Sequence, residues 1–297
     1  MAPWRTPIAL PLSAMVHDTD LWPAYSGHVP GVDMENAARG RHADLPGVRL
    51  WLTDSGGEGP PVILLHPNTG TSAIWEKQTP ALAAAGFRVI AFDRRGWGGS
   101  LSVPKTGPQP GSIAGDLDAL VDHLGLQRFH LLGVAGGGFA ALDYAAWRPE
   151  RLLSLVVAAS YGQFAESEIQ AVFQRLNTPD FQRLPGELRE IGPTFRGFDP
   201  EGTARWAAIE HGARQPDAVA QPLRSPNTFA KLASITCPVL VLAAGADLYA
   251  PPALMRCWAA HLPAHQWDVL PEAGHAINWE QPEAFNARVI AFLLGRA

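Results

Sequence analysis

The sequence predicts an α/β fold, in which a mostly parallel β-sheet is covered by helices on both faces. Short apolar runs of strand length alternate with helical patterns from residue 48 onward, which is typical of parallel strands joined by helices. Runs such as 62–65 are apolar throughout, as expected for strands that are buried on both faces. The chain has 297 residues, of which 47% are hydrophobic, and is therefore long enough to enclose a large core.

Seven segments are predicted as strands of this sheet. In chain order they cover residues 48–52, 62–65, 88–92, 129–133, 152–158, 238–242 and 266–270. Turn-forming residues at 55–61 separate the first two strands. Helices are predicted to end at residue 86 and to cover 112–124, 136–147 and 282–294. Ser112 is a suitable N-cap for its helix, and Pro149 sets a limit to the helix at 136–147.

The chain divides into three regions. Residues 1–46 show no sustained periodicity and are predicted to form an extended N-terminal arm. Residues 47–160 and 232–297 are predicted to form the α/β core. Between them, residues 161–231 lose the strand pattern and contain helical patches at 166–176 and 202–211, interrupted by Pro and Gly. We interpret residues 161–231 as a helical cap, or lid, inserted into the core.

Composition and charge exclude several classes of protein. The 23 Lys and Arg against 28 Asp and Glu give a net charge of −5, which argues against disorder and against a nucleic-acid-binding surface. No stretch approaches the ~18 apolar residues of a membrane span. Cys237 and Cys257 are too few for a disulfide framework or a zinc cluster. We expect two reduced, packed thiols in a cytoplasmic protein, with no metal and no cofactor.

Polar and glycine-rich segments follow several of the predicted strands. They are residues 66–70, 93–100 and 133–137, and the two later residues Asp247 and His275. Open α/β sheets bind their ligands outside the carboxyl ends of the strands. The sequence therefore predicts a binding or catalytic site at this edge of the sheet.

These motifs resemble those of the α/β-hydrolase superfamily, and the resemblance extends from about residue 45 to residue 295. Members carry a Gly-x-Ser-x-Gly turn, the nucleophile elbow, followed later in the chain by an acid and a histidine. Here residues 133–137 are Gly-Val-Ala-Gly-Gly, and Asp247 and His275 follow in the same order. The resemblance implies that His275 transfers protons and that Asp247 orients its ring and stabilises its charged form.

Ala135 occupies the nucleophile position of this elbow, where a methyl group cannot attack a substrate. Two explanations remain open at this point. The chain is either an inactivated Ser→Ala variant of a hydrolase, or it carries a natural alanine and uses other chemistry or only binds a ligand. Haloalkane dehalogenases and epoxide hydrolases are disfavoured, because they have Asp at this position.

The resemblance also implies an oxyanion hole and a substrate pocket. One backbone N–H would come from Gly136, the residue after the nucleophile position, and another group from the loop after the strand at 62–65. Pro67 has no N–H, so Asn68 is the candidate, through its backbone or its side-chain amide. The candidate substrate-binding residues are His66, Trp97, Tyr161, Arg196, Trp206, His211 and Tyr249. For His66 bracing of the loop is the favoured role, and the cap residues also suit a solvated helix face.

Three functional hypotheses follow from this pattern. The first is a capped α/β-hydrolase-fold enzyme that hydrolyses an ester, a lactone or a C–C bond in a small, largely apolar carbonyl compound. The second is an enzyme in which His275 and Asp247 act as a non-covalent general base, giving lyase, isomerase or other cofactor-free chemistry. The third is a non-catalytic protein that binds a small ligand. The expected partner is a small-molecule substrate, with no nucleic acid and no membrane, and a homo-oligomer is left open.

Overall fold

Nine strands form one mixed sheet in the computed structural model, which describes residues 40–295. The strands are β1 (Arg41–Leu45), β2 (Val48–Asp54), β3 (Pro61–Leu65), β4 (Arg88–Phe92), β5 (Leu101–Ser102), β6 (Phe129–Val134), β7 (Leu152–Ala158), β8 (Val239–Ala244) and β9 (Gln266–Leu270). Their order in the sheet is β1-β2-β4-β3-β6-β7-β8-β9, and β5 pairs with β2. All pairs from β4 to β9 are parallel, whereas β2 pairs antiparallel with its neighbours. The predicted fold class is confirmed.

The seven predicted strands are all present, and two further strands were not predicted. β1 lies within the predicted N-terminal arm, so placing the start of the core at residue 47 was wrong, and residues 1–39 lie outside the described residues. β1 was missed because its sequence, Arg-His-Ala-Asp-Leu, is mostly polar and is stabilised by pairing with β2. β5 has only two residues, both exposed, and so gives no periodic pattern.

Twelve α-helices connect and cover these strands within residues 40–295. They are α1 (Gln78–Ala84), α2 (Ile113–His123), α3 (Gly136–Trp147), α4 (Ser167–Leu176), α5 (Pro179–Gln182), α6 (Gly186–Glu190), α7 (Pro193–Phe198), α8 (Pro200–Ala213), α9 (Phe229–Leu232), α10 (Pro252–Ala259), α11 (Ile277–Glu280) and α12 (Pro282–Leu293). The predicted cap of α2 is confirmed, since Ser112 Oγ accepts a hydrogen bond from Gly115 N at 3.1 Å. No helix in this part of the chain is long and apolar enough to cross a membrane.

Both faces of the sheet are buried under helices, as the sequence predicted. Successive side chains of β3 alternate between two apolar clusters, because a strand directs neighbouring residues to opposite faces. Ile63 and Leu65 pack with α2, α3 and α10, and Val62 and Leu64 pack with α1, α11 and α12. The central strands therefore form a rigid support, and the loops at their carboxyl ends carry the site.

Helices α4 to α8 lie between β7 and β8, in the region interpreted as a cap. Asn227 ties the end of this region to the core, since its Nδ2 donates to Phe139 O at 3.0 Å and to Gly162 O at 2.8 Å. Helix α9 crosses the predicted boundary at residue 231. Both cysteines are free, but only Cys237 is buried. The expectation that Cys257 is packed was wrong, because it lies on the exposed face of α10.

Candidate active site

The turn between β6 and α3 holds Ala135 in an unusual backbone conformation. Its φ of 50° and ψ of −115° lie outside the regions that alanine ordinarily adopts. Ala135 N donates to Ala158 O at 3.0 Å, and Ala135 O accepts from Gly138 N at 3.0 Å and from Ser160 Oγ at 2.8 Å. These bonds fix the residue from both sides, so the elbow keeps its strained geometry although its side chain is a methyl group.

The glycines of this turn are required by the close approach of the backbone. A Cβ atom on Gly133 would lie 2.4 Å from Gly137 O, and one on Gly137 would lie 2.1 Å from Leu65 O. Any larger residue at either position would push α3 away from the sheet. The spacing of the two glycines therefore reflects the packing of the elbow against β3 and does not depend on the residue at position 135.

His275 and Asp247 form a hydrogen-bonded pair in the loops that follow β9 and β8. His275 Nδ1 lies 2.8 Å from Asp247 Oδ2. Asp247 Oδ1 accepts from Tyr249 N at 2.7 Å and from Ala250 N at 2.9 Å, and the carboxylate has no exposed surface. The backbone bonds hold the carboxylate in place, and the carboxylate in turn orients the ring. Since Nδ1 faces Asp247, Nε2 is the nitrogen that remains for a substrate.

Carboxylates around His275 favour its protonated form. Burial lowers the pKa of His275, but the charge and hydrogen bond of Asp247, together with Glu190 and Glu280, raise it to about 9. Burial raises the pKa of Glu190, although the positive charges of His275 and Arg189 oppose this effect. Burial also raises the pKa of Glu280 to about 7, against hydrogen bonds that its carboxylate accepts from Gly274 N and Gly192 N. The surrounding carboxylates therefore stabilise the imidazolium form of His275.

This pKa gives an expected pH dependence. If His275 acts as a base, log kcat/KM should rise with pH and level off above about 9, because only the neutral imidazole accepts a proton. Glu190→Gln removes one carboxylate that raises this pKa, so the rising limb should move to lower pH. The pH–rate profiles of both proteins from about pH 6 to about pH 10 test this. Glu168→Gln, at an exposed position of α4, is the control. An unchanged limb in Glu190→Gln would contradict the assignment.

A cavity of about 410 Å³ opens beside Ala135 and His275. An adjoining chamber of about 290 Å³ shares Asn68, Gly136, Phe139, Tyr161 and Arg214 with it. The cavity walls come from the core and from the cap, because Phe173, Gln182, Arg189 and Glu190 lie on α4 to α6. Residues of the region interpreted as a cap therefore line the same cavity as Ala135 and His275.

The two candidate oxyanion-hole residues lie next to each other in this cavity. Gly136 is the first residue of α3, where a backbone N–H has no acceptor within the helix. A Cβ atom on Gly136 would lie 2.5 Å from Asn68 Oδ1. Asn68 Oδ1 accepts from Arg94 Nη2 at 3.0 Å, and Asn68 O accepts from Trp97 Nε1 at 2.8 Å. Their role as an oxyanion hole stays a prediction.

Three of the predicted substrate-binding residues line the two spaces. Trp97 lines the chamber, Tyr249 lines the cavity, and Tyr161 borders both. The ring of Tyr161 stacks on Phe173 at a centroid distance of 3.9 Å. The ring of Tyr249 lies 4.8 Å from that of His275, and its hydroxyl accepts from Arg189 Nη1 at 2.6 Å.

Four others lie outside the lining. His66 is fully buried; its Nδ1 donates to Pro67 O at 2.7 Å and its Nε2 accepts from Arg94 N at 2.9 Å, so it braces the loop. Trp206 packs in the apolar cluster beneath α8. Arg196 donates to the carbonyl oxygens of Glu187 and Ile191 within the cap, and the side chain of His211 is 75% exposed. None of these four is among the residues that line the cavity or the chamber, and their contact with a substrate stays a prediction.

The sequence did not single out several residues that the structure brings to the site. Ser160 follows β7, so its position at a strand end was a usable signal. Glu190 lies in α6 and borders the cavity, but its sequence context is that of an ordinary charged cap helix. Arg94 lies in the strand-end segment 93–100, whereas Arg189 and Arg214 are indistinguishable in sequence from surface arginines. Their grouping depends on how the cap folds over the core.

Comparison with known proteins agrees with this geometry. A model described as the alpha/beta hydrolase family matches residues 62–288. RutD of Caulobacter sp. (strain K31), whose name assigns it as a carbamate hydrolase, is 32% identical over 80% of this chain and 91% of that protein. The 2-hydroxy-6-oxononadienedioate/2-hydroxy-6-oxononatrienedioate hydrolase of Paraburkholderia phymatum is 29% identical over 83% of this chain and 91% of that one. A thermophilic esterase from Thermogutta terrifontis, with malate bound, is 26% identical with a TM-score of 0.72, over 86% of this chain and 99% of that one.

Proposed function

The chain belongs to the alpha/beta hydrolase family, whose relatives named above are hydrolases and an esterase, and from this premise we propose that it hydrolyses a small carbonyl compound without forming an acyl-enzyme at residue 135. The attacking group in this proposal is a water molecule that His275 activates. The observation that carries the proposal is the hydrogen-bonded His275–Asp247 pair in one cavity with Ala135. That pair supplies a base, while Ala135 supplies no nucleophile.

The reaction then proceeds in two steps. Neutral His275 takes a proton from water through Nε2 while the water oxygen bonds to the carbonyl carbon, and the carbonyl π electrons move to the oxygen. Gly136 N–H and Asn68 stabilise the resulting oxyanion. The negative charge of Asp247 stabilises the imidazolium. As the oxyanion collapses, the bond to the leaving group breaks and His275 returns the proton to that group.

A second candidate uses the same base on a different proton. In this case His275 removes a proton from the substrate itself, which gives an isomerase or lyase reaction. The raised pKa of His275 supports this alternative, because a stronger base is better matched to a weakly acidic C–H group. The two candidates differ in whether an oxygen atom of solvent enters the product.

The test uses p-nitrophenyl acetate, p-nitrophenyl butyrate and a γ-lactone at about pH 9, where His275 is half deprotonated. We expect linear product release without an initial burst, no adduct in the intact mass of the protein, and one ¹⁸O atom in the acid product when the solvent is H₂¹⁸O. A covalent adduct would contradict the water mechanism. Turnover that continues in His275→Ala would contradict the assigned base.

A further inference from the structure

Three arginines border the two spaces beside Ala135, although the chain as a whole has a net charge of −5. They are Arg94 from the core and Arg189 and Arg214 from the cap. Within residues 40–295, no carboxylate oxygen lies within 4.0 Å of a guanidinium nitrogen of any of them. Buried and partly buried arginines are ordinarily paired. Arg94 is buried and Arg189 is partly buried, so their lack of an acidic partner indicates that the negative charge comes from a ligand, whereas Arg214 is exposed and adds a further positive charge at the chamber.

Arg94 is the most informative of the three, because it is buried with only neutral partners. It is 2% exposed. Its Nη2 donates to Pro67 O and to Asn68 Oδ1, both at 3.0 Å, and its Nε lies 3.4 Å from His66 Nε2. Burial lowers the pKa of Arg94 to about 9. A buried cation that lacks a counter-charge destabilises the fold and is retained most readily where a ligand completes the pair.

Arg214 places a second guanidinium at the same chamber, from the cap side. Its Cζ lies 5.6 Å from the ring centroid of Trp97, and the Cζ of Arg94 lies 4.6 Å from that centroid. A β-bridge joins the backbones of Trp97 and Arg214. Trp97 therefore contacts both guanidinium groups, and all three side chains line the chamber of about 290 Å³. Arg214 Nη2 donates to Ala218 O at 2.9 Å, another neutral partner.

The rest of the chamber wall is mixed. Gln163 and Gln221 add neutral polar groups, while Ile113, Phe139 and Leu223 are apolar. A guanidinium group matches the planar shape of a carboxylate and can donate two parallel hydrogen bonds to it. The apolar residues suit the short alkyl or aryl group that would carry the carboxylate. The sequence predicted a small, largely apolar carbonyl compound, and such a substrate without a charged group would leave Arg94 without a negatively charged partner.

We propose that this chamber is a carboxylate subsite, in which Arg94 and Arg214 hold a carboxylate group of the substrate. The adjoining cavity, with Ala135 and His275, then receives the carbonyl group of the same molecule. Only this second placement rests on the proposed function, since binding of a carboxylate to the chamber requires no turnover. Clustered positive charge in a cleft also raises the rate at which an anion is captured.

Isothermal titration calorimetry at about pH 7 tests the subsite. The two ligands are benzoate and benzamide, which is an uncharged analogue of the same shape. We expect benzoate to bind at least ~10-fold more tightly than benzamide, and Arg214→Gln to weaken benzoate binding by ~10-fold, as for loss of a charged hydrogen-bond donor. Arg224→Gln is the matched control. Like Arg214, Arg224 is exposed and stacks on a tryptophan, with its Cζ 4.1 Å from the ring centroid of Trp147. It does not line the chamber.

The outcomes separate the subsite from the hydrolytic mechanism. Benzoate binding that His275→Ala retains and Arg214→Gln loses supports the subsite, whether or not any ester is hydrolysed. Equal affinities for benzoate and benzamide, equal losses in Arg214→Gln and Arg224→Gln, or an absence of benzoate binding would each overturn it. Tighter binding of inorganic phosphate than of benzoate would overturn the choice of a carboxylate. Thermal unfolding of each variant verifies that a loss of binding is not a loss of fold.

Discussion

Replacing His275 with alanine is expected to lower kcat/KM by about 10²–10⁴-fold, the usual contribution of a positioned general base. The ring is held by Asp247 at 2.8 Å, and that carboxylate is fixed by two backbone N–H groups. In Asp247→Asn the ring would lose the negative charge that stabilises its protonated form, so that variant should lose much of the activity as well. Initial rates with the best ester of the panel give both values.

His123→Ala is the control for this experiment. His123 is exposed at the end of α2, away from the carboxyl ends of the strands, and its replacement should change kcat/KM by less than about twofold. Full activity in His275→Ala would show that the cavity uses a different base, and the water mechanism would then be wrong. Loss of activity with unchanged benzoate affinity would separate the proton-transfer role of His275 from substrate binding.

The sequence was sufficient for the parts of the site that lie close together along the chain. The elbow spans Gly133 to Gly137. Glycine is required at both positions because other backbone atoms approach them too closely for a side chain. Asp247 and His275 could be placed because both follow predicted parallel strands, whose carboxyl ends share one edge of the sheet. Strand boundaries were predicted well because continuous apolar runs mark strands that are buried on both faces.

The cap could not be predicted in the same way, because its contribution depends on tertiary contacts between short helices. Glu190 reaches the cavity because Glu190 O accepts from Ala276 N at 3.1 Å, next to His275. Trp206 and His211, which belong to the same helix, point respectively into the core and into solvent. Periodicity predicts that a helix exists, but α8 has too weak a division into apolar and polar faces to indicate which side meets a substrate.

The strained conformation of Ala135 has a structural consequence that does not depend on its side chain. The bend at φ 50° ends β6 and starts α3 at Gly136, so the first N–H of the helix comes directly after the elbow. Such a conformation costs about 1–3 kcal/mol and persists only where surrounding bonds enforce it. Ser160 Oγ and Ala158 O provide two of those bonds. The elbow therefore places Gly136, whose N–H has no acceptor within the helix, at the wall of the cavity.

Introducing a hydroxyl group at position 135 is the change with the largest expected gain. Ala135 lies in the cavity with His275, and serine adds a single oxygen atom to the existing Cβ. Ala135→Ser should raise the rate of p-nitrophenyl acetate hydrolysis by about 100-fold or more, with a burst of p-nitrophenol. The reason is that an enzyme with a complete Ser-His-Asp triad is faster, by that factor or more, than the same enzyme without its serine. The rate should follow the neutral form of His275 and therefore increase towards about pH 9.

Ala159→Ser is the matched control for this gain. Ala159 is also a buried alanine with positive φ, 43°, but it follows β7 and does not line the cavity. It should show neither a burst nor an acetyl adduct of the protein. If Ala135→Ser gains the burst and the Ala135 protein hydrolyses nothing, the chain corresponds to an inactivated hydrolase. If both proteins turn over and only the serine form acylates, the alanine form acts through water. A serine form with no burst, no acetyl adduct and no gain in turnover would contradict the placement of His275 Nε2 next to the elbow, on which both mechanisms depend.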